Sequence, residues 1–165
     1  MSWIAVQAYT TKNYLSIGTQ RPDMSSWDIN LTPSCTFGQN AWGVVSTLID
    51  IAKYGIPTIF VKLRFLENPN NLGYAEIIEE PILFEGLTLY RVVARYYSAD
   101  KFKFTNLERM TDVYTIECAK NGKNYKLMVP QDDSGSLYAI ENSAPGQLAT
   151  PEEMFVITSI RPEPA

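Results

Sequence analysis

The chain has 165 residues, 45% apolar and 19% charged, with 14 Lys and Arg against 18 Asp and Glu and a formal net charge of −4. That length suits one domain around one core, and the composition is too apolar for a disordered chain. A sequence pI near 4.9, with the basic residues scattered along the chain, argues against nucleic-acid and heparin-like partners, which call for a basic footprint that displaces counterions.

The first residues carry no basic segment ahead of an apolar run and turn polar by Gln7, so they do not read as a secretory signal. No stretch approaches the ~20 apolar residues of a membrane-spanning helix. The expectation is a protein of the cytoplasm, or one secreted without a signal peptide, with no membrane span.

Residues 4–8 alternate apolar and polar, Thr11-Lys12-Asn13 turns the chain, and Tyr14-Leu15-Ser16-Ile17 returns it, which predicts a β-hairpin. A polar loop over 18–26 leads to Trp27, Ile29 and Leu31 alternating with Asp28 and Asn30, a third strand stopped by Pro33. A fourth strand is predicted over 42–48. The connector 50–57, marked by Gly55 and Pro57, has room for one helical turn. A second hairpin runs from Ile59 to Ile77 through Asn68-Pro69-Asn70-Asn71. A third strand is expected at 82–84, a Glu85-Gly86 turn follows, and 89–96 completes the second set of four. Residues 98–111 read as the longest charged connector.

The clearest hairpin comes last. Tyr114, Ile116 and Cys118 alternate with Thr115 and Glu117, the chain turns at Lys120-Asn121-Gly122-Lys123, and Tyr125, Leu127 and Val129 alternate again. Strands at 137–140 and 154–158 follow, with a turn-rich segment between them and a Pro-containing tail from 161. Val6, Val61 and Ile116 are 55 and 55 residues apart, and the expected closing strands place Trp42, Tyr90 and Phe155 ahead of aliphatics. Equal starts argue for an internal repeat, with units at about 1–53, 54–110 and 111–165 of a single domain.

Three four-stranded units can jointly close a barrel with a hairpin cap. On these grounds the chain resembles the β-trefoil superfamily. The likeness is carried by Tyr14-Leu15-Ser16-Ile17 and Tyr125-Lys126-Leu127-Met128-Val129 after polar turns, and by the aromatic-plus-aliphatic closing strands. It implies an all-β fold with pseudo-threefold symmetry, and ten-stranded lipocalin-like or sandwich folds are the rivals. Within the superfamily, ricin-B-like lectins carry Gln-x-Trp in each closing region. This chain has only Gln39-Asn40-Ala41-Trp42, one residue too long, so a standard galactose site is not expected.

The chain has no histidine, which removes Ser-His-Asp and Cys-His catalysis and the commonest metal ligand. Glu79-Glu80, Asp132-Asp133 and Glu152-Glu153 are adjacent acids of the kind that ordinarily face solvent. The expectation is a protein that is not an enzyme and needs neither cofactor nor metal. Cys118 reads as a buried small hydrophobe and Cys35 as a turn thiol, with a bridge between them left open.

With 20 aromatics in an acidic chain, the resemblance implies a carbohydrate-binding protein recognising glycans or glycoproteins. Sugar binding needs an aromatic face and polar groups for the hydroxyls. Trp27, Asp28 and Asn30 offer that mix in the first unit, and Asp132, Asp133, Tyr138 and Asn142 in the third. The plainer reading makes Trp27 and Tyr138 core residues and the acids turn formers. The alternative is a protease inhibitor of the cysteine-poor, fungal Kunitz-like trefoil type. It would act through the 51–57 loop, with Lys53 suited to a trypsin-like pocket and Tyr54 beside it. Arg109-Met110 is a second candidate loop, whereas proline spoils Arg21-Pro22. A homodimer is left open by the sequence.

Overall fold

Apolar and polar alternation becomes strand pairing through most of the chain. The computed structural model describes residues 2–49, 59–68, 71–96, 98–131, 135–142 and 148–161, with the backbone alone for residues 2, 39, 44–49, 59–68 and 71–73. Its strands are β1 (Ser2–Ala8), β2 (Tyr14–Gln20), β3 (Ser26–Thr32), β4 (Trp42–Ile49), β5 (Ile59–Asn68) and β6 (Asn71–Phe84). They continue with β7 (Leu87–Arg95), β8 (Phe102–Asn106), β9 (Val113–Lys120), β10 (Lys123–Met128), β11 (Tyr138–Glu141) and β12 (Phe155–Ser159). One helical turn, α1 (Phe37–Asn40), and a 3-10 turn, Pro151–Glu153, complete the described elements.

All the strands belong to one hydrogen-bonded sheet with antiparallel neighbours. β1 pairs with β4, β4 with β5, β5 with β8, β8 with β9, β9 with β12, and β12 returns to β1. The pairing therefore closes on itself and leaves these strands without a free edge. The others form the hairpins β2–β3, β6–β7 and β10–β11, and β7 joins them by pairing with β3 and β11 as well.

Two-residue turns hold the β6–β7 and β9–β10 pairs in register. Asn121 and Gly122 have φ of 51° and 77°, and Glu85 and Gly86 have 48° and 81°. Positive φ at both central positions gives the twist that adjoining strands require.

Two sequence expectations are corrected. Residues 82–84 are the end of β6, which continues past a register shift between Ile77 and Pro81. A strand tolerates proline such as Pro81 where one edge carries no ladder, and β6 pairs with β5 only at residues 71–74. The strand bearing Tyr90 consequently belongs to a hairpin, and a further strand, β8, lies inside the supposed charged connector. There Phe102 is buried while Lys103 is partly exposed, so the lysines mark the outer face of a strand.

The main core gathers Val6, Leu15, Trp42, Ile77, Phe102, Ile116, Leu127 and Phe155, all at most 1% exposed. Burying such side chains contributes roughly 1.5–3 kcal/mol each. Trp42, Phe102 and Phe155 are each the first residue of their strand. A smaller cluster of Leu89, Met128 and Tyr138 lies apart, with Ile82, Phe84 and Ile140 packed against it.

Two buried polar residues brace the strands. The Asn40 amide donates to Leu15 O and to Thr32 Oγ1, both at 3.1 Å, and its Oδ1 accepts the Thr36 N–H at 2.9 Å. Asp100 Oδ2 accepts the Ile77 N–H at 2.7 Å and pairs with Lys120 Nζ at 3.2 Å, while Lys120 donates to Ile77 O at 2.6 Å. Cys35 and Cys118 are both free thiols.

Candidate functional site

Strand alternation sends Trp27 and Asp28 to opposite faces of β3. Trp27 enters the main core, where its ring meets Tyr96 edge-on at 5.0 Å between centroids. Asp28 faces outward. Its strand neighbour is Val93 of β7, which in turn neighbours Glu76 of β6. Val93 is fully buried although it shares a face with Arg91 and Arg95, so the charged side chains around it form a roof.

That roof is a set of linked ion pairs. Asp28 Oδ1 lies 3.7 Å from Arg21 Nη1 and 3.6 Å from Arg91 Nη1. Arg95 reaches Glu76 Oε2 at 2.9 Å through Nε and Asp23 Oδ2 at 3.9 Å through Nη2. The Arg91 guanidinium stands 5.9 Å from the centre of the Tyr138 ring. Asp23 is itself fixed, accepting from the N–H groups of Ser25 and Ser26 at 3.0 and 3.1 Å and from Ser26 Oγ at 2.9 Å. Those donors, led by the Ser25 N–H, hold its carboxyl below the usual range.

Three arginines and three carboxylates make the patch electrically balanced. Separations of 3.6–3.9 Å exceed a direct hydrogen bond. Guanidinium donors and Asp28 oxygens therefore keep capacity for an outside partner. Partly exposed pairs of this kind contribute only ~0–1 kcal/mol to folding.

The residues singled out in the sequence fall in several places. β3 and β11 both border β7, so Asp28 and Tyr138 are brought together through Arg91. The Tyr138 ring belongs to the smaller apolar cluster and is buried, as Trp27 is in the main core. Neither offers an open ring. Asn30 lies against Gly18, where an added Cβ would collide with its side-chain amide. Asn142 is four residues beyond Tyr138, about 13 Å along an extended chain, and its N–H donates to Asn124 O at 2.7 Å. Asp132, Asp133, Lys53 and Tyr54 lie outside the described residues.

Arg109 sits in the turn between β8 and β9 beside a shallow depression lined by Asn106, Met110, Thr111, Asp112 and Tyr114. Its φ is 64° and that of Asp112 is 62°. This is left-handed backbone, unlike the extended form in which a segment pairs as an added strand. Among the described residues, no three His, Cys, Asp or Glu gather closely enough to hold a metal ion. No described helix is long and apolar enough to cross a membrane.

Arg91 and Arg95 were not anticipated as site residues. Their signal was present, since two arginines four apart share one face of the strand predicted over 89–96. What the sequence did not provide was the partner strand that places Asp28 opposite them.

No family model and no curated protein matches the chain. A solved structure that does match is described as a salivary protein from Culex quiquefasciatus that belongs to the Cysteine and Tryptophan-Rich (CWRC) family. It superposes with a TM-score of 0.68 over 96% of this chain and 94% of its own, at 11% identity. The likeness is one of fold. This chain has 2 Cys and 3 Trp, so the composition in that family's name is not repeated here. The assignment by resemblance to ricin-B-like lectins or fungal Kunitz-like inhibitors of the β-trefoil superfamily is corrected by these findings. Its carrying motifs were strand alternation and an aromatic at strand starts, which any half-buried antiparallel sheet shares.

Proposed function

We propose that the protein binds carbohydrate without chemically altering it, through the balanced charged face formed by Arg21, Asp28 and Arg91, flanked by Asp23, Glu76 and Arg95. The observation that carries this reading is the loose pairing around Asp28. It leaves planar donors and acceptors unsaturated in fixed positions, the groups that recognise sugar hydroxyls. Zero net charge across the six groups favours a neutral glycan over an acidic one. Resemblance in fold to a salivary protein favours a setting outside the cell.

The same reading includes the architecture. The strands would be three repeats in a β-trefoil arrangement, β1–β4, β5–β8 and β9–β12, with the first and fourth of each in the closed ring and the middle two in a hairpin. Support comes from the aromatics that open each fourth strand and from the braces just before them. Asn40 reaches back to β2, Asp100 to β6, and Glu152 O accepts the Val129 N–H at the end of β10.

A glycan array followed by titration calorimetry on the best glycan tests the function. Asp28→Ala and Arg91→Ala should each weaken binding at least tenfold and shift the melting temperature little, because the pairs they remove contribute about 1 kcal/mol or less. Unchanged affinity in both variants would remove the face from consideration.

A further inference from the structure

Beyond β7's charged end, the smaller apolar cluster opens to the surface as a groove of about 370 Å³. Phe84, Leu87, Met128, Pro130 and Ile140 supply its apolar lining, drawn from the β6–β7 turn, the end of β10 and β11. The opposite wall is the 3-10 turn Pro151–Glu153, tied down where Val129 N–H donates to Glu152 O at 2.9 Å. Glu153 Oε1 accepts the Thr150 N–H at 2.9 Å, which fixes that wall from the other side.

The polar lining is one-sided in charge. Glu85, Glu152 and Glu153 contribute carboxylates, and among the described residues no lysine or arginine lines the groove. These carboxylates are not gathered into a metal-sized cluster, so the field is spread along the rim. A metal ion would lack ligands, an anion would be repelled, and a neutral apolar molecule would leave the rim unused. The volume falls in the range of small-molecule sites. Leu87, at 43% exposure, already gives apolar surface that an occupant would cover.

We propose that this groove binds a small protonated amine with an aromatic or alkyl body, the body lying on Met128, Ile140 and Leu87 and the ammonium directed to Glu85 and Glu152. The occupancy is independent of the glycan-binding face, since none of its lining residues belongs to that face.

Titration calorimetry at pH 7 with 2-phenylethylamine, 2-phenylethanol and phenylacetate tests it. The amine should bind, the alcohol should bind roughly fivefold more weakly or worse, and phenylacetate should give no heat. Glu85→Gln and Glu152→Gln should each weaken the amine about threefold and leave the alcohol unaltered, whereas Leu87→Ser should weaken both. These three side chains lie at the surface of the groove, so the variants should keep the fold. Equal affinity for amine and alcohol would overturn the proposal, as would no heat from the amine. Amine affinity unchanged in all three variants would overturn it too, by placing the ligand elsewhere.

Discussion

Cys118 shows how one buried side chain ties stability to pH. It sits on β9 between Phe102 of β8 and Tyr125 of β10, and burial, aided by the Asp100 charge, pushes its thiol from 9.0 to about 12. The folded protein therefore keeps a proton that the unfolded chain releases near pH 9. The contribution is whole below that pH and is lost as pH rises toward 12, falling by about 1 kcal/mol per pH unit or slightly more. Burial moves the Tyr125 phenol upward as well, which adds in the same direction. Thermal melts should show Cys118→Ala with a flatter loss of stability than the parent between pH 9 and 11. Cys35, by contrast, is exposed. Ellman titration should find one reactive thiol per native chain and two in guanidinium; two in the native protein would contradict the burial of Cys118. At this scale the sequence was legible for Cys118, whose alternation with Ile116 marks an inward face. It was less so for Trp27 and Tyr138, because an aromatic beside an acid looks alike whether its ring lines a site or the core.

Among the elements, the brace made by Asp100 carries a large predicted effect. Its carboxylate joins β6 to β9 through the Ile77 N–H and Lys120, in a setting from which water is largely excluded. Asp100→Ala leaves a buried N–H without its acceptor and a lysine without its counter-charge, and should cost about 3 kcal/mol in a denaturant melt. A loss under 1 kcal/mol would show that solvent replaces the carboxylate freely. The turn at Lys120-Asn121-Gly122-Lys123 was readable because Asn-Gly is chemically suited to positive φ. β8 was not, because five residues containing Lys103 and two phenylalanines look like a charged connector until β5 and β9 are known to flank them. Strand identity there depends on neighbours far off in sequence, and local pattern cannot encode that.

For the molecule as a whole, the closed ring makes the last strand as important as the first. β12 bonds both β1 and β9, so a chain ending before Met154 should lose cooperative folding, seen as the absence of a sigmoidal thermal transition. Phe102→Ala should cost about 3–5 kcal/mol, similar to Trp42→Ala and Phe155→Ala. A much smaller loss at Phe102 would count against the three positions being equivalent. Val6, Val61 and Ile116, spaced 55 residues apart, lie in β1, β5 and β9, three of the six strands of the ring. Ring closure itself was beyond the sequence, because it follows from pairings between strands as far apart as Ala8 and Phe155.

β7 is hydrogen-bonded along both edges, by β6 on one side and by β3 and then β11 on the other. Its amide protons from Leu89 to Arg95 point alternately to the two edges, and each meets solvent only when the neighbour on its own side separates, so deuterium uptake there should be among the slowest and should report global opening. The strand also carries Leu87 at the groove and Arg91 and Arg95 at the charged face. Any ligand that binds only the folded chain raises the free energy of that opening by mass action. Occupancy at either end of β7 would therefore be recorded as the same slowing of exchange along the whole strand.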